Sequence, residues 1–392
     1  MALDPQLLSQ LQGPHPARRM PFDALRAGLD QGVARKLINV SREGDLQLYG
    51  YSSSCQFEQQ WDLFSLIARG LILDVSAKRV VATPFPKFFN FNEGGVALPR
   101  ETFDVTEKLD GSLGIVFHHA GNWRVSTRGR LDSEQGQWAT QYLHQHVSTA
   151  NLAEGSTYLV EIVYPENRIV IPYDFSGLVL LGAYDAEGHE LPRRALENIA
   201  MSAGLRIAKG FASGSFEALL DVARTLPRDE EGFVVRFAGG LRVKLKGEAY
   251  CRVHRLICHC TPLALWEAMM SGEDLDAMRR ELPEEMRADF DAIRALLEKR
   301  SDDLVSEVRE AHVMHGGKSD KELGMLIQDP RSGLADAQRK FLFACRKQNF
   351  LDAVHQPGEW RQKAFRLIRP DGNKLAGYVS SNVMTRFQEE SG

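Results

Sequence analysis

Residues 107–112 read Glu107-Lys108-Leu109-Asp110-Gly111-Ser112 and run directly into the apolar stretch Leu113-Gly114-Ile115-Val116-Phe117. Lys108 is a candidate nucleophile, because a lysine amine attacks phosphorus once it is deprotonated. At neutral pH that needs a depressed pKa, which neighbouring cations, from side chains or a metal, can supply. Gly111 lets the backbone approach a bound group closely. Taken alone, Lys-x-Asp-Gly also describes an ordinary polar turn ahead of a strand, so its reading rests on its companions.

Downstream lie Thr127-Arg128-Gly129, Leu159-Val160-Glu161-Ile162-Val163, Glu231-Gly232-Phe233-Val234-Val235-Arg236 and Val243-Lys244-Leu245-Lys246. Upstream lie Ala68-Arg69-Gly70 and Pro86-Lys87-Phe88-Phe89-Asn90-Phe91-Asn92-Glu93. In this order the motifs resemble the covalent nucleotidyltransferase superfamily of ATP- or GTP-charged ligases and capping enzymes. The segments Lys87–Glu93, Glu166-Asn-Arg-Ile-Val170 and Lys244-Leu-Lys-Gly-Glu-Ala-Tyr250 are similar to the phage RNA ligase 1 family in particular. The resemblance spans about residues 35–255 and fades on either side.

Each companion suits that chemistry. Glu161 and Glu231 are carboxylates on or beside strands, fit to hold hydrated Mg²⁺, or Mn²⁺ in its place, and the ribose hydroxyls of ATP. Lys244 and Lys246 alternate with Leu245, so both ammonium groups reach one face, where they can neutralise an α-phosphate and depress the pKa of Lys108. The resemblance implies catalytic roles for Lys108, Lys244, Lys246 and Glu231. It also implies phosphate contacts from Arg69, Lys87 and Arg128, support or stacking from Phe89, and nucleotide contacts from Glu107 and Gly111. Arg128 stands where the family usually has lysine, which keeps the charge and alters the contact geometry. Other readings stay open: Glu161 as a buried structural acid, Phe88, Phe89 and Phe91 as core, and the lysine pair as an edge-strand device.

The whole chain has 392 residues, is 43% apolar and carries a formal charge of −4, enough material for two domains. A nearly balanced charge does not exclude nucleic acid, since a basic groove can sit on an acidic molecule. No apolar run reaches membrane-spanning length, the start Met1-Ala-Leu-Asp-Pro5 lacks signal-peptide order, and five cysteines make no disulfide framework. The expectation is a cytoplasmic protein with no membrane partner. Strand-like runs fill roughly the first 255 residues, and helical periodicity dominates Pro262–Val313 and Leu334–Val354. We therefore expect an adenylyltransferase domain over 1–258 and a helical domain with an RNA-specificity role over 259–392. The resemblance implies an α+β, ATP-grasp-like nucleotidyltransferase domain of antiparallel sheets flanking an ATP cleft.

Charge divides the helical part. Thr261–Glu310 holds 14 acidic and 7 basic residues, a solvated face. Arg339–Lys374 holds 9 basic and 3 acidic residues, among them Arg339, Arg346, Lys347, Arg361 and Lys363, interleaved with Phe341, Phe343, Phe350 and Trp360. That mix suits a phosphate backbone or a basic surface over core aromatics. Cys251, His254, Cys258, His259 and Cys260 resemble half a zinc site without a second pair nearby, and are read as buried thiols and a packed histidine. His312, His315 and Gly316-Gly317 mark a helix end and loop.

The function this implies is ATP-dependent joining of RNA 3′-hydroxyl and 5′-phosphate ends through a lysyl–AMP and an adenylylated RNA end. A separate kinase or phosphatase would supply healed ends, and tRNA repair enters by family analogy only. The alternatives are a GTP-charged capping enzyme and an inactive RNA-binding relative.

Overall fold

The computed structural model describes residues 5–91, 93, 98–212, 214–258, 260–282, 284–348, 354, 358–372 and 374–379. His259 and Phe350 lie outside the described residues, as do the side chains of Cys258 and Lys347. The chain divides into two compact units, Met1–Arg252 and Val253–Ser391.

The first unit is α+β and carries three sheets. The first orders β1 (Ile38–Glu43), β2 (Leu46–Tyr51), β3 (Arg69–Asp74) and β4 (Arg79–Ala82) as an antiparallel meander. The remaining strands are β5 (Phe89–Asn90), β6 (Phe103–Lys108), β7 (Ser112–His119), β8 (Asn122–Thr127), β9 (Thr157–Val163), β10 (Gly177–Tyr184), β11 (Arg206–Ile207), β12 (Gly210–Phe211), β13 (Gly232–Phe237) and β14 (Arg242–Lys246). They form a second sheet, β11-β10-β9-β7-β8, and a third, β12-β6-β13-β14-β5. Pairing is antiparallel except at β11 on β10 and β5 on β14, each two residues long.

Sequence explains the layers. β9 is buried along its whole length, as a central strand covered on both faces must be, so Glu161 is the one charge on an otherwise apolar or hydroxyl-bearing strand. On β13 and β14, Phe233, Val235, Val243 and Leu245 turn to a core shared with Leu219 and Ala223 of the helix Phe216–Thr225, leaving Val234, Lys244 and Lys246 on the other face. Ser215 starts that helix by accepting the Ala218 amide. The helices Glu134–His146 and Arg193–Ala203 bury Ala139, Leu143, Leu196 and Ala200 against the second sheet. The link Leu109–Gly111 carries the chain from β6 in the third sheet to β7 in the second, so the Lys108 motif sits where the sheets exchange chain.

The described part of the second unit is built from helices, including Pro262–Ser271, the 31-residue Glu284–Met314, Asp320–Gln328, Asp336–Gln348 and Glu359–Phe365. In its basic run three guanidiniums bond to backbone carbonyls. Arg339 donates to the carbonyls of Leu334, Ile327 and Asp329, Arg346 to those of His315 and Gly316, and Arg361 to that of Met269. These guanidiniums cap helix ends and brace loops, a use of arginine that composition alone cannot separate from phosphate binding. Cys260 is buried, and among the described residues no group of three His, Cys, Asp or Glu could hold a metal ion. His312 and the turn His315–Gly317 close the long helix as expected. No helix among the described residues is long and apolar enough to cross a membrane.

Candidate active site

Strand register brings the central residues together. Gly232 lies directly across from Lys108 on β6 and from Lys246 on β14, so the residue before it, Glu231, reaches both. One Glu231 oxygen is 2.6 Å from Lys108 Nζ and the other 2.9 Å from Lys246 Nζ. Glu231 is only 3% exposed. Gly232 has φ +142°, and a Cβ there would lie 1.9 Å from the Leu245 carbonyl oxygen, so only glycine lets the strands close around this carboxylate.

Electrostatics here differ from the expectation of a depressed Lys108. Burial pushes the amine pKa down, but Glu231, Glu161 and Asp110 together raise it above the ordinary lysine value. Glu231 is held below the usual carboxylate range: burial raises it, and Lys108 and Lys246 more than offset that. Without nucleotide, Lys108 therefore rests as an ammonium.

The other motif residues divide between cleft and scaffold. Glu161 accepts the Gly111 amide at 3.0 Å. At Gly111 the space for a Cβ is filled by the Ile162 carbonyl oxygen at 2.6 Å, so the approach of β9 itself demands glycine. Asp110 turns into the scaffold, accepting from the amides of Val170 (2.7 Å) and Ile171 (2.8 Å) and from the Tyr250 hydroxyl (2.8 Å). Its own amide donates to Tyr173 Oη at 2.8 Å. Glu107 turns its side chain to the scaffold. Strand alternation turns it away from Lys108, and its carboxylate accepts the Lys209 amide at 2.7 Å, closing β6 onto the Lys209–Phe211 edge.

Beyond Lys246 the cations accumulate. Lys244 Nζ and the Arg69 guanidinium each lie 4.9 Å from the Phe88 ring centroid. Arg69 Nη1 is buried with no hydrogen-bond partner among the described residues. Arg128 donates to the Tyr51 hydroxyl at 2.7 Å, and Lys87 packs against the rings of Tyr51, Trp61 and Phe89. Burial, then the charges of Arg69, Lys87, Lys108 and Lys246, holds the Lys244 amine well below the usual lysine value. Burial likewise lowers Lys87 and Arg69. A cluster of partly buried, mutually repelling cations with an orphaned guanidinium nitrogen fits a polyphosphate. Phe89 is 3% exposed and packed with Leu66 and Trp61, the core setting that the sequence left open beside nucleotide support. Its neighbour Phe88 faces the cations instead.

Tyr51 and Trp61 carried no motif signal in the sequence. Val170, Ile171, Tyr173 and Tyr250 lay inside or beside quoted motifs and could have been found there. For a metal, Glu161 and Glu231 offer only carboxylate oxygens, a donor set that fits hydrated Mg²⁺ or Mn²⁺, which take one or two carboxylates beside phosphates and waters.

The cluster predicts a trade between stability and binding. A lysine whose folded pKa is lowered costs stability fully below that pKa, and the cost fades as pH rises to the unfolded value. Lys244→Met should therefore melt higher than wild type at pH 7, by roughly 2–4 °C for each kcal/mol relieved, with the gain shrinking toward pH 10. Thermal melts across pH check this, and a lower Tm at pH 7 would contradict it.

Residues 67–250 match the family model described as RNA ligase. The RNA ligase of Rhodothermus phage RM378 is 24% identical over 201 residues, covering 39% of this chain and 44% of that protein. RNA ligase 1 of bacteriophage TS2126 is 32% identical over 152 residues, covering 33% of this chain and 38% of that protein. The chain thus spans less than half the length of these two relatives. A solved archaeal ATP-dependent RNA ligase aligns over 84% of this chain and 99% of its own, at 15% identity and a TM-score of 0.47. The matched segment runs from the Ala68-Arg69-Gly70 motif to Tyr250, and over that part the chain is similar to RNA ligases.

Proposed function

We propose that this chain is an ATP-dependent RNA ligase that carries AMP on Lys108. The observation that carries the reading is Lys108 bonded to a buried Glu231, shared with Lys246, at one end of the cation cluster. In the first step the Lys108 ammonium gives up a proton, for which Glu231 at 2.6 Å is the nearest acceptor. The Nζ lone pair bonds to the α-phosphorus of ATP, the bond to the β-phosphate oxygen breaks, and pyrophosphate leaves. Lys246 and Lys244 face the charge that builds on the α-phosphate, while Arg69, Lys87 and Arg128 take the β- and γ-phosphates. A divalent cation held by Glu161 and Glu231 would offset triphosphate charge and weaken the pull of these carboxylates on the Lys108 proton.

In the second step an RNA 5′-phosphate oxygen attacks the lysyl–AMP phosphorus and the Lys108 amine departs. In the third, an RNA 3′-hydroxyl attacks the activated 5′-phosphate, and AMP leaves. The substrate is RNA with 3′-hydroxyl and 5′-phosphate ends, which a separate kinase or phosphatase can provide. Residues 1–258 perform this chemistry and 259–392 select the RNA, with the exposed Lys363, Arg366 and Arg369 as the better candidate phosphate contacts in that part. Lys108, Glu161, Glu231, Lys244 and Lys246 are all present, which weighs against an inactive RNA-binding relative.

The test incubates the protein with 5′-phosphorylated RNA, Mg²⁺ and either ATP or GTP. The expected products, with ATP only, are joined RNA and a trace of adenylylated RNA. Guanylate on the chain or the RNA end would favour a capping enzyme instead.

A further inference from the structure

Lys87 is 9% exposed, and no ion pair among the described residues involves its ammonium. A buried ammonium ordinarily rests against a carboxylate, which neutralises it and competes with any incoming anion. Here its surroundings are rings. Lys87 Nζ lies 5.3 Å from the Tyr51 centroid, 5.4 Å from Trp61 and 5.1 Å from Phe89. Trp61 joins the other two, edge-on to Tyr51 at 5.2 Å and 77° and to Phe89 at 5.3 Å and 82°. An aromatic face holds an ammonium through its quadrupole and leaves the net charge intact. Trp61 is well fixed for this: its indole donates to Gln59 Oε1 at 3.3 Å, and its neighbour Asp62 caps the helix Leu63–Ile67 in a reciprocal capping box with Ser65.

We propose that Trp61 is a positioning residue, the central ring of a three-ring cage that holds Lys87 in place for the β- and γ-phosphates of ATP without neutralising it. The inference rests on the ligase reading and deepens it. Because only ATP brings those phosphates, Trp61 acts in the first step and is silent in the last, when AMP is already on the RNA.

The experiment measures lysyl–AMP formation against ATP concentration for the full chain, Trp61→Leu and Trp61→Phe, and in parallel the sealing of pre-adenylylated RNA. Trp61→Leu should raise the half-saturating ATP concentration about tenfold with a maximal rate within about twofold of wild type. Trp61→Phe, which keeps a ring, should recover most of that loss. Both variants should seal pre-adenylylated RNA at the wild-type rate. An unchanged ATP dependence in Trp61→Leu overturns the inference, and so does an equal loss in both reactions, which would make Trp61 a packing residue. Should the wild-type chain form no lysyl–AMP at all, the ligase reading itself falls. Lysyl–AMP in wild type with a silent Trp61 overturns only the cage.

Discussion

Glu231→Gln is expected to form lysyl–AMP at least about a hundredfold more slowly than wild type, the loss usual for one essential charged group in a preorganised site. The substitution keeps volume and removes the anion that both Lys108 and Lys246 touch. It also separates two accounts of this carboxylate. If Glu231 did nothing but hold Lys108 as an ammonium, removing it would free the amine and raise the rate at neutral pH. If it takes the proton, holds metal and aligns the amine, the rate falls at every pH. Breaking a buried pair from one side costs about 3–5 kcal/mol, and the partial exposure of both lysines places this site at the lower end. At about 2–4 °C per kcal/mol the variant should melt roughly 5–15 °C lower, so rates must be compared well below that transition. The exposed neighbour Glu230→Gln should change neither rate nor melting. A Glu231→Gln protein within threefold of wild type would show that its role is structural.

Gly232→Ala is the second large effect. Its Cβ would sit 1.9 Å from the Leu245 carbonyl oxygen at a φ of +142°, and backbone cannot give way there as a side-chain tip could. Strain at such a φ costs about 1–3 kcal/mol, and overpacking a further ~1–3 kcal/mol. The expected result is a melting temperature lower by about 5–20 °C together with loss of lysyl–AMP formation, because the β6–β13–β14 register that joins Lys108, Glu231 and Lys246 is disturbed. Gly317→Ala, where an added Cβ meets nothing within 4 Å, is the control and should melt like wild type. A Gly232→Ala protein with normal melting and normal lysyl–AMP formation would show that the register tolerates the change.

The cleft was legible where it depends on strand alternation. Lys244 and Lys246 share a face because their spacing is two, and Glu231 and Glu161 attract notice because charge in an apolar strand is costly. Alternation also sets which neighbouring side chains leave the Lys108 face. Glu107 and Phe89 stand next to Lys108 and Phe88 in sequence and so point the other way, one to the Lys209 amide and the other into core. The raised Lys108 pKa was not legible, because the balance of three carboxylates against burial depends on distances. Trp61 and Tyr51 lie outside every motif and reach Lys87 only through the fold. Which guanidiniums of the basic run bond to carbonyls was not legible, because composition records the charges and not their partners.

The central claim is the covalent adduct, and one measurement addresses it directly. The full chain is incubated with Mg²⁺ and α-labelled ATP without RNA, denatured, digested and mapped. Label retained on the peptide bearing Lys108, released by pyrophosphate and absent from Lys108→Arg, is the predicted result. Undiminished label in Lys108→Arg, or label mapping to another residue, would contradict it.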